Sequence, residues 1–281
     1  MIEKICVAGA GTMGSGIALA AAQSGYPVTL YDTNETVLDK ARTAISKNLG
    51  FLVEKKKISA DEQTAIFSRI SFSSTITDCK TDLVIEAIVE IPEAKINLFN
   101  QLAEINTAET IFASNTSSLS ITDLQKNISN PQRVAGMHFF NPAQIMKLVE
   151  VVKGEQTSGE VANELMKVCL KMSKNPVLCK DAPGFIVNRV ARHYYLEAMK
   201  LVEQQIASFE NVDAIMEASG FKMGPFKLMD LIGMDINLAV SQSIYEAFDN
   251  AERFQPSAIQ IDKVAKGELG KKTGKGFYDY N

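Results

Sequence analysis

The stretch Ile5-Cys6-Val7-Ala8-Gly9-Ala10-Gly11-Thr12-Met13-Gly14-Ser15-Gly16 decides how the rest of this 281-residue chain is read. Four apolar residues, of the length and type of a buried parallel strand, run straight into G-x-G-x-x-G at Gly9, Gly11 and Gly14. Ile17 to Gln23 is rich in alanine and other helix formers, and Gly25 closes that helix. Val28-Thr29-Leu30-Tyr31 is a second strand and ends at Asp32. The opening of the chain therefore reads as one βαβ unit.

Each part of that unit has a job in dinucleotide binding. The first glycine permits the tight turn, the second lets backbone approach a pyrophosphate, and the third allows close helix–strand packing. Ala10, Thr12 and Met13 complete the loop, whose helix N-terminus offers N–H groups and a positive dipole end to phosphates. Asp32 lies 18 residues beyond Gly14, where a carboxylate can accept from ribose hydroxyls and repel a 2′-phosphate. NAD is thus expected over NADP. A glycine-rich turn of a flavodoxin-like fold, with Asp32 as an ordinary cap, is the alternative.

Working outward, a helical segment spans about Glu35 to Lys57, broken by Ile58-Ser59-Ala60-Asp61, and a second runs to about Phe67. Further strands are expected at Ile70–Phe72, Leu83–Ala87, Thr110–Ala113, Arg133–Met137, Lys147–Val152 and Pro176–Cys179. Helices are expected from Pro92 and over Ile121–Lys126. Alternation of this kind predicts an α/β fold, a Rossmann-type doubly wound, mostly parallel sheet with an inserted helix pair at about 35–67. After Gly184 the strand signal fades. Phe185–Gln205, Asn211–Ser219, Leu228–Asp249 and Ala258–Lys266 read as helices. Two domains follow, 1–183 and an all-helical 184–281.

Composition narrows the function classes. Hydrophobic residues make up 46% and charged residues 22%, the balance of a globular chain, and the net charge of −4 argues against a general nucleic-acid binder. Cys6, Cys79, Cys169 and Cys179 show no C-x-x-C or zinc-ligand spacing, so free thiols in a reducing compartment are expected and no metal. No segment has the length of a membrane span or the charge pattern of a signal peptide. A cytoplasmic protein is expected, although a processed organelle protein would look the same.

Only two histidines occur. His138 follows an apolar run in Met137-His138-Phe139-Phe140-Asn141-Pro142, and Glu150 lies twelve residues on. A histidine among apolar residues is most often a hydrogen-bonded core residue; it is also the natural proton carrier near neutral pH. Ser114-Asn115-Thr116-Ser117-Ser118 follows a strand and could be no more than a helix cap. Yet Gly9–Gly14, Ser117 and His138 all fall at ends of separate strands, where open α/β sheets bind ligands. That convergence favours a site. His193 reads as structural, Glu90 as a better ligand candidate than Glu86, and Met223, Met229 and Met234 as core or subunit contact.

Together with Gly9–Gly14, the segments Ala113–Ser118, His138–Pro142, Lys147–Val151, Asp181–Arg189 and Met223–Phe226 closely resemble the L-3-hydroxyacyl-CoA dehydrogenases, in particular the short bacterial 3-hydroxybutyryl-CoA dehydrogenases. The likeness runs over nearly the whole chain, including Gly270-Lys271-Lys272-Thr273-Gly274-Lys275-Gly276-Phe277-Tyr278. It implies reversible hydride transfer between C3 of a 3-hydroxyacyl-CoA and NAD, and a homodimer formed through the helical domain. His138 matches the family's general base, Glu150 its partner carboxylate, Ser117 the group on the reacting oxygen, and Asn188 the contact on the thioester side. Asp32, Glu90, Lys95, Asn115, Ser117, Asn141 and Lys272 carry over as cofactor contacts. Phe139 and Phe140, next to His138 in the chain, read as support for the ring. The helix pair with Lys47, Lys55, Lys56 and Lys57, an ordinary solvated face on its own, becomes a clamp for coenzyme A. Lys55 matches a CoA contact, and Asn48 stands where some members have serine.

Two other readings compete. A related β-hydroxyacid dehydrogenase acting on a free acid would share the fingerprint and the His–Glu pair without needing the CoA clamp. A non-catalytic dinucleotide-binding protein would not need Ser117, His138, Glu150 and Asn188 together. Butyrate synthesis, fatty-acid oxidation and polyester metabolism would all use the same chemistry. No hydratase or second catalytic module is expected, and acyl-chain length and direction are not fixed by these residues.

Overall fold

A computed structural model describes residues 2–280, which divide into two compact units, one ending at Ala182 and the other beginning at Pro183. The first is an eight-stranded sheet in the order β3-β2-β1-β4-β5-β6-β7-β8. Its first five strands are β1 (Ile5–Ala8), β2 (Val28–Tyr31), β3 (Ile70–Ser73), β4 (Leu83–Glu86) and β5 (Ile111–Ser114). These pair in parallel, and β6 (Val134–Phe139) extends the parallel set beside β5. Strand β7 (Leu148–Lys153) runs antiparallel to β6, and β8 (Asn175–Lys180) runs parallel to β7. The expected mostly parallel, doubly wound sheet is therefore present.

Local chemistry explains the elements. Strands β1, β2, β4 and β5 are buried along their whole length, as continuous apolar runs covered on both faces require. Helix α1 (Thr12–Gln23) follows β1, and its buried alanines sit against the sheet. The helix pair α2 (Glu35–Glu54) and α3 (Ala60–Ser68) forms the crossover from β2 to β3. Asn34 caps α2, and Ser59 with Glu62 forms a capping box on α3. Leu38, Ala41, Ile45, Leu49 and Ile66 pack this pair into the core of the unit. Helix α4 (Pro92–Ile105) begins with its proline in the first turn, and α5 (Ile121–Gln125) is short.

Sequence leads to no element at 159–171, yet α6 (Gly159–Lys171) lies there and connects β7 to β8. Its signals are plain: Ser158 caps it, and Val161, Leu165, Val168 and Cys169 form the buried stripe. A parallel β7–β8 pair needs such a crossover.

The second unit is helical: α7 (Val187–Glu203), α8 (Phe209–Ala218), α9 (Pro225–Ile232), α10 (Met234–Ala247) and α11 (Ala258–Ala265). The single helix expected over 228–249 is two helices, broken at Gly233 with φ of 105°. Tyr195, Met199, Val212, Phe226, Met229 and Met234 form its core. The last residues fold back on it. Asp230 accepts from the N–H groups of Phe277 and Tyr278, and Asp213 accepts from the Tyr278 hydroxyl.

Candidate active site

The sheet order reverses beside β1, whose neighbours are β2 and β4, and a crevice forms outside the carboxyl ends of strands at such a switch. The loop Gly9–Gly14 sits there. Gly9 has φ of 101°, and a Cβ would lie 2.5 Å from the Ala87 carbonyl. At Gly14 a Cβ would collide with the Gly9 carbonyl at 1.7 Å, so the third glycine packs against the turn itself. At Gly11 a Cβ meets nothing within 4 Å, so the protein's own packing does not demand this glycine and the space beside it is open to close approach by a ligand.

Asp32 stands at the end of β2. Its Oδ2 accepts from the Ala10 N–H at 2.9 Å, and its Oδ1 from the Asn34 N–H at 2.9 Å. It lines a cavity of about 600 Å³ with Gly9, Gly11, Tyr31, Ala87 and Leu98. A carboxylate at the mouth of a largely apolar cavity beside a helix N-terminus fits the adenosine half of a dinucleotide. Thr12 and Met13 open α1 at the same loop.

Three buried charged or polar groups lie behind the loops that follow β4 and β5. Glu86, 0% exposed, accepts from Lys95 Nζ at 2.6 Å, Ile88 N at 2.7 Å and Ser114 Oγ at 2.6 Å. Lys95 is 1% exposed and also pairs with Glu90 at 3.1 Å. Glu90 in turn accepts from the Thr116 hydroxyl, the Ser117 N–H at 3.1 Å and the Ser118 hydroxyl at 3.1 Å. Burial pushes the Glu86 carboxyl up, against the pull of Lys95 and Ser114. Burial raises Glu90 as well, but Lys95 and Thr116 outweigh it, so that carboxyl titrates below its ordinary value. The Glu86–Lys95–Ser114 part of this network was not anticipated. Two carboxylates followed by a lysine at Glu86, Glu90 and Lys95 were the clue, masked because Glu86 reads as part of an apolar run.

His138 is the fifth residue of β6, within the strand rather than beyond its end. The antiparallel register places Glu150 directly opposite it on β7. Nδ1 lies 2.8 Å from Glu150 Oε2, with His138 6% and Glu150 1% exposed. A buried carboxylate at that distance fixes ring orientation and supports a proton on Nδ1. Phe140 packs on the imidazole with centroids 4.5 Å apart. Asn115 Oδ1 accepts from the Phe139 N–H at 2.8 Å, tying the loop after β5 to the end of β6. The chain then passes Asn141, exposed, into Pro142 and a loop held by Lys174. That buried ammonium donates to the carbonyls of Ala143 at 2.6 Å and Met146 at 2.9 Å.

The other expected residues belong to helix α2 and to the helical unit. Asn48 is exposed on α2, donating to its own helix at Ala44, and it lines a second cavity of about 330 Å³ between α1 and α2 with Gly11, Lys40 and Asn141. Lys55 caps the same helix. In the helical unit, Asn188 lies in the first turn of α7, where its carbonyl accepts from Arg192. Lys272 pairs with Asp235 at 2.5 Å, and the His193 ring packs 5.1 Å from Phe254. All four cysteines are free thiols; Cys6, Cys79 and Cys169 are buried and Cys179 is partly so.

Strand order and glycine loop place the first unit among the dinucleotide-binding Rossmann proteins. Comparison with known proteins is more particular. Residues 4–182 match the model described as 3-hydroxyacyl-CoA dehydrogenase, NAD binding domain, and residues 184–280 match its C-terminal domain. The chain belongs to the 3-hydroxyacyl-CoA dehydrogenase family. It is 46% identical to a 3-hydroxyadipyl-CoA dehydrogenase of Escherichia coli K12, a match covering 99% of this chain and 59% of that protein's length. It is 42% identical to the mitochondrial hydroxyacyl-coenzyme A dehydrogenase of Rattus norvegicus, with 100% and 92% covered. The crystal structure of (S)-3-hydroxybutyryl-CoA dehydrogenase from Ralstonia eutropha, at 36% identity, matches with a TM-score of 0.96 over 100% of both chains.

Proposed function

We propose that this protein catalyses reversible, NAD-dependent interconversion of a (3S)-3-hydroxyacyl-CoA and the 3-ketoacyl-CoA, with 3-hydroxybutyryl-CoA and acetoacetyl-CoA as the preferred pair. The observation that carries the reading is the buried His138–Glu150 pair, held by strand register at the ligand-binding edge of a Rossmann sheet. A secondary alcohol gives up hydride only as its proton leaves, so the reaction needs a base within hydrogen-bond reach of the oxygen. His138 takes that proton on Nε2, while Glu150 holds Nδ1–H and balances the imidazolium. In reduction the protonated ring returns the proton to the developing alkoxide. NAD, when bound, accepts or supplies the hydride.

The remaining residues bind and orient. Gly9–Gly14 and Asp32 take the pyrophosphate and ribose, and the open face at Gly11 supports that fit. Glu90, with Lys95 behind it, holds the Ser117 backbone, and Ser117 hydrogen-bonds the reacting oxygen. Asn115 and Asn141 serve the nicotinamide side, Asn188 the thioester and Lys272 the cofactor. Asn48 and Lys55 hold coenzyme A. The helical unit forms a homodimer, for which exposed Val190, Leu231 and Ile236 on α7, α9 and α10 supply apolar surface. Free thiols suit a reducing cytoplasm.

The test is NADH oxidation with acetoacetyl-CoA and with free acetoacetate. Oxidation with the thioester and none with the acid is expected. Turnover of the free acid alone would favour a non-CoA β-hydroxyacid dehydrogenase. NADH binding with neither substrate turned over would favour a non-catalytic protein.

A further inference from the structure

Helix α2 carries a single stripe that begins in the cavity beside the glycine loop and leaves it at an exposed aromatic ring. Val37, Ala41, Ala44, Asn48, Phe51 and Lys55 are separated by alternating steps of four and three, so they share one helix face. The first four line the cavity of about 330 Å³ whose other walls include Gly11 and Asn141. The last two continue the face beyond its mouth. Phe51 is 54% exposed, and Lys55 Nζ lies 5.5 Å from its ring centroid. The helix is anchored to the core by Leu38, Ala41, Ile45 and Leu49, so Phe51 is not needed for packing.

Resting on the CoA reading above, we propose that Phe51 is the stacking platform for the adenine ring of the thioester's nucleotide end. The eleven residue steps from Ala44 to Lys55 span about 16 Å of helix, room for an extended arm whose reactive end lies toward Asn141. Every base has a π face, and an exposed phenyl ring beside an ammonium offers stacking to the purine and charge to its phosphates. Asn48, Phe51 and Lys55 then act together, and Phe51 sets how far the enzyme discriminates coenzyme A from a shorter pantetheine thioester.

The test measures free coenzyme A binding by calorimetry on the full chain, for the wild type, Phe51→Ala and Phe51→Trp. Phe51→Ala is expected to weaken binding about tenfold and Phe51→Trp to restore it. The wild type's preference in kcat/KM for acetoacetyl-CoA over acetoacetyl-pantetheine should fall by a similar factor in Phe51→Ala. The proposal is overturned if Phe51→Ala binds coenzyme A as tightly as wild type, if the wild type does not bind it, or if both thioesters lose equally. Calorimetry needs no turnover. Binding that depends on Phe51 in a protein that oxidises no NADH would sink the catalytic reading and leave the platform standing.

Discussion

At the scale of single residues, the central arrangement is a histidine and a glutamate twelve positions apart that meet because β6 and β7 are antiparallel and in register. The sequence offered both residues and a reason to suspect them. It did not offer the register, since a one-residue slip would put Glu150 on the opposite face. Asp32 was equally legible, as an acidic residue closing the second strand of a βαβ unit. Its replacement by alanine removes a charged acceptor from the 600 Å³ cavity. NADH affinity should fall about tenfold, and NADPH affinity by less, measured by fluorescence titration of both cofactors. Glu90 predicts a pH effect. Its folded carboxyl titrates below the ordinary 4.5, so the stability it contributes is present above that pH and lost as pH falls below it. The urea midpoints of wild type and Glu90→Gln should therefore converge under acid. A constant gap down to the acid limit would show that the ionised carboxylate is not what holds the Thr116–Ser118 loop.

Elements were read more completely than their joints. The βαβ opening was secure because apolar strands, glycines and an alanine-rich helix all pointed one way. Helix α6 went unassigned although Ser158 and a regular apolar stripe mark it. The break at Gly233 was hidden because apolar residues continue on both sides, and only the positive φ at that glycine divides α9 from α10. Lys174 shows what sequence cannot supply. It sits one residue before β8, and nothing in its neighbourhood says that its ammonium reaches back to two carbonyls of the loop after Pro142. Burial lowers its pKa, so the position tolerates a cation only because those carbonyls accept from it. Lys174→Met should cost about 2 kcal/mol in urea unfolding, since the buried Ala143 carbonyl and the part-buried Met146 carbonyl both lose their partner. Because that loop begins at Asn141, the KM for NADH should rise as well. A change in stability with no change in KM would separate the loop from the site.

For the whole molecule, the two-unit organisation was visible as a loss of strand signal after Gly184, and each unit has its own core. What sequence left open was which apolar residues face outward. Val190, Leu231, Ile232 and Ile236 are all exposed on the helical unit. On the homodimer proposed for this unit, Val190→Lys should shift sedimentation from dimer toward monomer. An unchanged dimer would place the interface elsewhere.

Proton transfer by His138 under the control of Glu150 is the claim on which the function rests, and one comparison tests it most directly. NADH oxidation by acetoacetyl-CoA is followed for the wild type, His138→Ala and Glu150→Gln, with NADH affinity measured in parallel. Turnover should fall by about 10² to 10⁴ in His138→Ala and substantially in Glu150→Gln, while NADH affinity stays close to that of the wild type. A His138→Ala variant that binds NADH and still turns over acetoacetyl-CoA at the wild-type rate would contradict the account.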